Sequence, residues 1–172
     1  MRKAPKRIGI SLVVLLVVSQ AIRPAKTNPA VDETQTMQAN THMSPEVATI
    51  LERACANCHS SKTTWPWYSQ MAPVSWFIVS DVNGARRKLS LSDWGTYKPD
   101  KKASKLQEIC EQVEQGEMPL ESYVLIHPSA RLSESDRQLL CDWAKQERER
   151  VTDKDGAQAS QNELEAIFAM LR

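Results

Sequence analysis

Cys55-Ala56-Asn57-Cys58-His59 sets two thiols three residues apart and an imidazole directly after the second. This is the spacing that attaches a c-type haem. On a helical turn the two sulfurs reach the two vinyl groups along one porphyrin edge, and the next side chain swings beneath the iron. Cys55 and Cys58 are the candidate thioether anchors and His59 the candidate axial ligand. Other chemistries use such a pair, but in other contexts. A thioredoxin-like site belongs in a βαβ pattern, and a zinc site takes four N or S ligands, usually from a second close pair. The sequence offers neither.

A sixth ligand is sought further along the chain. In Gly116-Glu117-Met118-Pro119-Leu120 a thioether sits on a loop that Pro119 restricts, and a soft thioether is what an electron-transfer haem takes opposite histidine. Met118 is therefore the preferred candidate, against the ordinary use of methionine as a core filler. His127, in His127-Pro128-Ser129-Ala130, is the rival ligand or a propionate partner. Between the two ligand regions, Trp65-Pro66-Trp67-Tyr68 cannot be regular helix throughout. It reads as a loop over the haem edge, in which Trp65, Trp67 and Tyr68 exclude water.

Helices must hold these groups. Ser44 is a good N-cap, Pro45 suits the first helical position and Glu46 favours the positive end of the dipole. Val47, Ile50, Leu51, Ala54, Cys55 and Cys58 then recur at helical spacing, so one stripe carries core contacts and both cysteines. A second helix is predicted over 73–89, with Val74, Ile78, Val82, Ala85 and Leu89 on its apolar face and Arg86, Arg87 and Lys88 as a solvated basic end. A third is predicted over 100–115, with Ala103, Leu106, Ile109, Cys110 and Val113 on one face and Gly116 as terminator. Ser133 with Asp136 opens the last core helix, which buries Leu139, Leu140, Trp143 and Ala144. After a charged stretch from Glu149 to Asn162, a short closing helix is predicted with Leu164, Ile167, Phe168 and Leu171 on one face. Cys110 and Cys141 lie on core faces, where a disulfide and two buried thiols are both open.

The 172 residues suit one domain with tails. A net charge of +1 gives no field that would point to nucleic acid. The predicted division is 1–22 as export signal or membrane anchor, 23–43 as polar linker, 44–148 as the haem-binding domain and 149–172 as polar segment and short amphipathic helix. Arg2, Lys3, Lys6 and Arg7 precede an apolar run from Ile8 to Val18, the pattern of an exported chain. Ile8 to Ile22 makes a helix of about 22 Å, short for a hydrocarbon core of about 30 Å, and Ser19-Gln20-Ala21 resembles a cleavage site. Arg23-Pro24 beyond it suits cleavage poorly, so an uncleaved transmembrane helix is preferred, with its N-terminus inside. Both readings place the haem motif on the periplasmic side of a bacterial inner membrane. His42, in the linker, is expected to be solvated.

Together, Ala54-Cys55-Ala56-Asn57-Cys58-His59-Ser60, Trp65-Pro66-Trp67-Tyr68-Ser69, Ala72-Pro73-Val74-Ser75-Trp76, Gly116-Glu117-Met118-Pro119-Leu120 with Tyr123, and His127-Pro128-Ser129-Ala130 resemble the small bacterial haem-binding domain of the cytochrome c type. The resemblance runs from about Ala54 to Trp143. It implies an all-α, cytochrome c-like domain with one covalent haem c, exported and often membrane-tethered. A family likeness of this kind leaves the biological task and the redox partner protein undefined. The leading expectation is a monohaem electron carrier with His59 and Met118 on the iron; the alternative is a haem sensor or small-ligand module with an open sixth position. With no distal acid and base pair, an enzyme is not expected.

Overall fold

The computed structural model describes residues 3–170, with side chains described over 6–157 and at Gln161 and Ala169. Among them there is no strand. Eight α-helices follow one another: α1 (Lys3–Ser19), α2 (Met37–Asn40), α3 (Pro45–Leu51), α4 (Asn57–His59), α5 (Val74–Lys88), α6 (Pro99–Glu114), α7 (Glu121–Ile126) and α8 (Glu134–Met170). A π-helical turn, Glu52–Ala56, joins α3 to α4, and short 3-10 turns occupy Glu33–Gln35, Trp67–Gln70, Trp94–Thr96 and Pro128–Ala130.

The core forms where α6 lies along α8 and α3 meets α8. Leu106 and Leu140 are fully buried, with Ile109, Val113, Val47, Ile50, Leu51, Trp143 and Ala144 packed round them. Cys110 and Cys141 are joined as a disulfide across this interface, which resolves the choice between bridge and free thiols. Helix ends follow the sequence signals. Ser44 Oγ accepts from Val47 N at 3.3 Å with Pro45 in the first turn, and Ser133 and Asp136 cap reciprocally, Ser133 N donating to Asp136 Oδ2 at 2.8 Å and Asp136 N to Ser133 Oγ at 3.1 Å.

Three predicted elements differ. On α5 the buried residues are Ser75, Val79 and Val82, while Val74 is exposed. Hydropathy alone chose the stripe through Val74 and Ile78, but those two line an open cavity and the small Ser75 faces the interior. Secondly, α8 is one continuous helix of 37 residues through the charged stretch. Its Glu, Lys, Arg and Gln residues are good helix formers that need no buried face. The apolar face expected from Leu164, Ile167, Phe168 and Leu171 lies outside the described side chains.

Thirdly, residues 23–43 lie against the domain. Met37 is only 2% exposed and belongs to the core. Arg86 donates to Thr27 O at 2.7 Å and to Asn28 Oδ1 at 2.9 Å, so the basic end of α5 is a clamp on this segment as well as a helix terminus. The turn at Trp94–Thr96 approaches it so closely that a Cβ on Gly95 would stand 3.0 Å from Gln35 Cα. His42 has an exposed side chain, yet its backbone N–H donates to the buried Glu147 at 2.9 Å and its carbonyl accepts from Trp143 Nε1 at 2.9 Å. These ties come from single polar side chains far away in sequence, which leave no periodicity to detect.

Helix α1 stands apart in character. From Ile8 to Val18 its described apolar side chains are all exposed. At 17 residues it is about 25 Å long, and no helix among the described residues is long and apolar enough to cross a membrane. The structure therefore does not support the transmembrane helix expected from the sequence: the helix ends at Ser19, and Gln20 and Ala21 form a turn.

Candidate haem site

Cys55 and Cys58 stand at the end of the helical stretch that the Ser44 cap begins, each half-buried and neither in a disulfide. The π turn Glu52–Ala56 lies directly before them. An inserted residue in a helix rotates everything beyond it relative to the ideal α phase, and such bulges gather at functional sites. Here Val47, Ile50, Leu51 and Ala54 face the core while the two sulfurs reach the walls of adjoining cavities.

Burial pushes the Cys55 thiol up to about 12, with Cys58 adding to the rise and Arg53 opposing it. Burial also raises Cys58, helped by Asp81. Thiol-disulfide catalysts require a depressed thiol, so both shifts run against that chemistry. The clustering expected of a zinc site is absent too: the sole group of metal-type donors among the described residues is Cys110, Glu114 and Cys141, whose cysteines are disulfide-bonded.

His59 is held by one decisive bond. Its Nδ1 lies 3.0 Å from the carbonyl oxygen of Leu89. A carbonyl only accepts, so Nδ1 carries the hydrogen and Nε2 keeps its lone pair. This is how proteins orient a ligating imidazole and fix its tautomer. Burial lowers the pKa of His59, more than the backbone bonds raise it, which favours the neutral ring that metal binding needs.

Two cavities, of about 400 and 360 Å³, open beside His59. Both are in the size range of ligand sites, roughly 300–1,000 Å³. They share His59, Lys88 and Met118; the larger adds Cys55, Ile109, Val113 and Leu140, and the smaller adds Cys58, Arg87 and Tyr123. Met118 arrives by a defined route. Gly116, at φ +73°, ends α6 in the left-handed region. Gly116 N donates to Val113 O at 3.3 Å and Glu117 N to Gln112 O at 3.0 Å, the paired bonds of a Schellman cap, and Met118 N also donates to Gln112 O at 3.1 Å. The cap turns the chain back and fixes Met118 beside the cleft.

His127 is differently placed. It lines a third cavity, of about 230 Å³, together with Cys58, Tyr68 and Tyr123. Its Nε2 is 2.5 Å from the Tyr68 hydroxyl, and its ring stacks on Tyr123 at 4.4 Å between centroids. Burial raises the pKa of both tyrosines, so the hydroxyls stay protonated. Asn57 ties this cluster to the cysteine motif: its Nδ2 donates to the Tyr123 hydroxyl at 2.9 Å, and Thr64 N donates to its Oδ1 at 3.1 Å.

The aromatic loop divides. Tyr68 faces the third cavity, Trp65 is half-buried with its indole N–H unpartnered, and Trp67 is 74% exposed with its ring edge-on to Tyr68. Sequence reasoning missed the Leu89 carbonyl, which carries no residue-type signal. It also missed Arg53, which donates to Ser129 O at 2.7 Å and Arg131 O at 2.9 Å and pairs with Asp136 at 2.7 Å, joining the cysteine helix to the start of α8. Arg53 lies next to Glu52 in the sequence, so its long-range partners left no signal there.

Two thiols, an imidazole with Nε2 free and a thioether beside the same cavities are a donor set that fits a haem. Lys88, which lines both cavities, and Arg87 add positive charge suited to carboxylates. No curated protein and no solved structure matches the chain. The haem-binding domain family does match, over residues 14–146, a span that takes in the segment from 23 to 43 together with every residue of the candidate site. The chain belongs to the haem-binding domain family.

Proposed function

We propose that this haem-binding protein is a non-enzymatic, exported, monohaem electron carrier of the c type, with Cys55 and Cys58 as thioether anchors and His59 and Met118 as axial ligands. The observation that carries the reading is the pairing of His59, whose Nδ1 is tied to Leu89 O, with Met118 across two shared cavities. A bound haem supplies one-electron chemistry at its iron. The protein's share is to hold. Leu89 fixes the imidazole tautomer, the Schellman cap fixes Met118, and Ile109, Val113 and Leu140 keep one wall apolar. A thioether ligand raises the potential, and two fixed ligands limit rearrangement on electron transfer. Its redox partner is a protein of the export side.

Two measurements test this on protein matured by an export-side haem-attachment system. Haem staining after denaturing electrophoresis shows covalent attachment, and the oxidised protein displays the long-wavelength sulfur-to-iron charge-transfer band. Unstained protein refutes the covalent reading. A stained, high-spin protein that takes up carbon monoxide readily refutes the carrier in favour of the open-site sensor.

A further inference from the structure

The third cavity, of about 230 Å³, contains neither His59 nor Met118. Its apolar lining comes from α5, through Phe77, Ile78 and Val82, and from α7 and its cap, through Leu120 and Ile126. Phe77 and Ile126 are exposed, so the cavity is open to solvent there. A cavity of about 150 Å³ is enough to take up benzene, and this one has room for a single substituted ring.

Polar groups with hydrogen-bonding capacity to spare reach the same space. The Tyr123 hydroxyl accepts from Asn57 Nδ2 at 2.9 Å, and the Asn57 amide is fixed in that sense because Thr64 N donates to its Oδ1 at 3.1 Å. The hydrogen of Tyr123 is then left without an acceptor among the described residues. Tyr68 shares a hydrogen with His127 Nε2 at 2.5 Å, and in either tautomer of His127 the Tyr68 oxygen keeps a lone pair. Asp81, on α5, lines the cavity too, and its carboxylate accepts no hydrogen bond among the described residues. One ligand hydroxyl, which accepts one hydrogen and gives one, matches Tyr123 and Tyr68 together. A second hydroxyl matches Asp81, whose charge repels an anionic ligand.

We propose that the third cavity binds a neutral, dihydroxylated aromatic ring of the hydroquinone class through Tyr123, Tyr68 and Asp81. Apolar walls that take the ring and a few placed polar groups that orient it are the ordinary design of a small-molecule site. Cys58 lines this cavity as well as the smaller one beside His59. On the electron-carrier reading this sets the ring beside a haem anchor; the binding itself does not depend on that reading.

The test is titration calorimetry on the full chain with its haem, kept reduced and free of oxygen so that the probe, methylhydroquinone, binds without reacting. The wild type takes up one equivalent. The analogue in which a carboxylate replaces the methyl group binds at least tenfold more weakly, and Asp81→Asn closes that gap. Tyr123→Phe weakens the probe about tenfold, the loss of one hydrogen bond, and Ile78→Trp, which fills the cavity, abolishes uptake; an unchanged unfolding midpoint shows that each variant is folded. Wild-type protein that takes up no probe overturns the proposal. Equal uptake by the wild type, Tyr123→Phe and Ile78→Trp places the probe elsewhere and also overturns it. Equal affinity for the probe and its carboxylate analogue overturns the part given to Asp81 and with it the ligand class. The sulfur-to-iron band of the oxidised protein, read separately, decides the electron-carrier reading whatever the calorimetry gives.

Discussion

The two histidines that share cavities with the motif cysteines differ in what each ring nitrogen does. His59 gives its Nδ1 hydrogen to a backbone carbonyl and keeps Nε2. His127 has Nε2 engaged by Tyr68 and its face covered by Tyr123. Residue type makes them equal candidates for iron. The partner of one ring atom separates them, and it also separates their cavities: Met118 lies with His59, and Tyr68 with His127.

The largest effect expected from this difference is spectroscopic. His59→Ala destroys the low-spin spectrum of the oxidised protein, whereas His127→Ala preserves it, as an absorption scan of the two variants will show. Met118→Ala removes the sulfur-to-iron band, leaves the haem stain and lowers the reduction potential measured by redox titration. Tyr68→Phe sharpens the comparison, because it releases His127 Nε2 without touching His59. Its oxidised spectrum keeps the band; loss of the band would mean that a released His127 displaces Met118.

The next effect separates the cleft from the side of the core behind it. Removing the bridge with Cys110→Ala and Cys141→Ala frees a loop of 31 residues, which lowers stability by about 3–4 kcal/mol in the chain-entropy account. Denaturant unfolding measures this, and the haem stain stays. An unchanged unfolding midpoint would show that packing between α6 and α8 suffices alone.

Smaller again is Arg53→Ala, which releases two carbonyl bonds and the Asp136 pair at a cost of about 1–2 kcal/mol, discounted for partial exposure. Asp136 also carries a pH signature. The Ser133 backbone and hydroxyl bonds hold its carboxyl below the usual range, burial opposes them, and Arg53 adds to the lowering. A depressed carboxyl stabilises the fold above its unfolded pKa, and that contribution is lost as pH falls through the folded value. Asp136→Asn therefore flattens the acid limb of the stability profile, seen by thermal unfolding between about pH 5 and pH 2. The least effect is that of Gly116→Ala, about 1 kcal/mol for a Cβ at φ +73°, read in the unfolding midpoint.

Much of this was legible because it is local. The Ser44 and Ser133 caps, the Gly116 terminator and the faces of α3 and α6 depend on residues within a turn or two, where spacing and chemistry act directly. The segment from 23 to 43 was not legible, because Arg86, Trp143 and Glu147 hold it from far along the chain. Nor was the buried side of α5, where apolar residues face an open cavity. The expected transmembrane helix rested on composition, and the helix stops at Ser19, short of the Ile22 end expected for it.

By itself the sequence determined where the candidate haem donors lie: a motif of two thiols and an imidazole is fixed by chain spacing, and its helix follows from local preferences. Tertiary structure decided which nitrogen of His59 stays free, that Met118 shares its cavities while His127 does not, and that Cys110 meets Cys141. Each of these depends on a carbonyl, a cavity wall or a facing helix brought from tens of residues away. Local propensity carries no information about such partners; packing does.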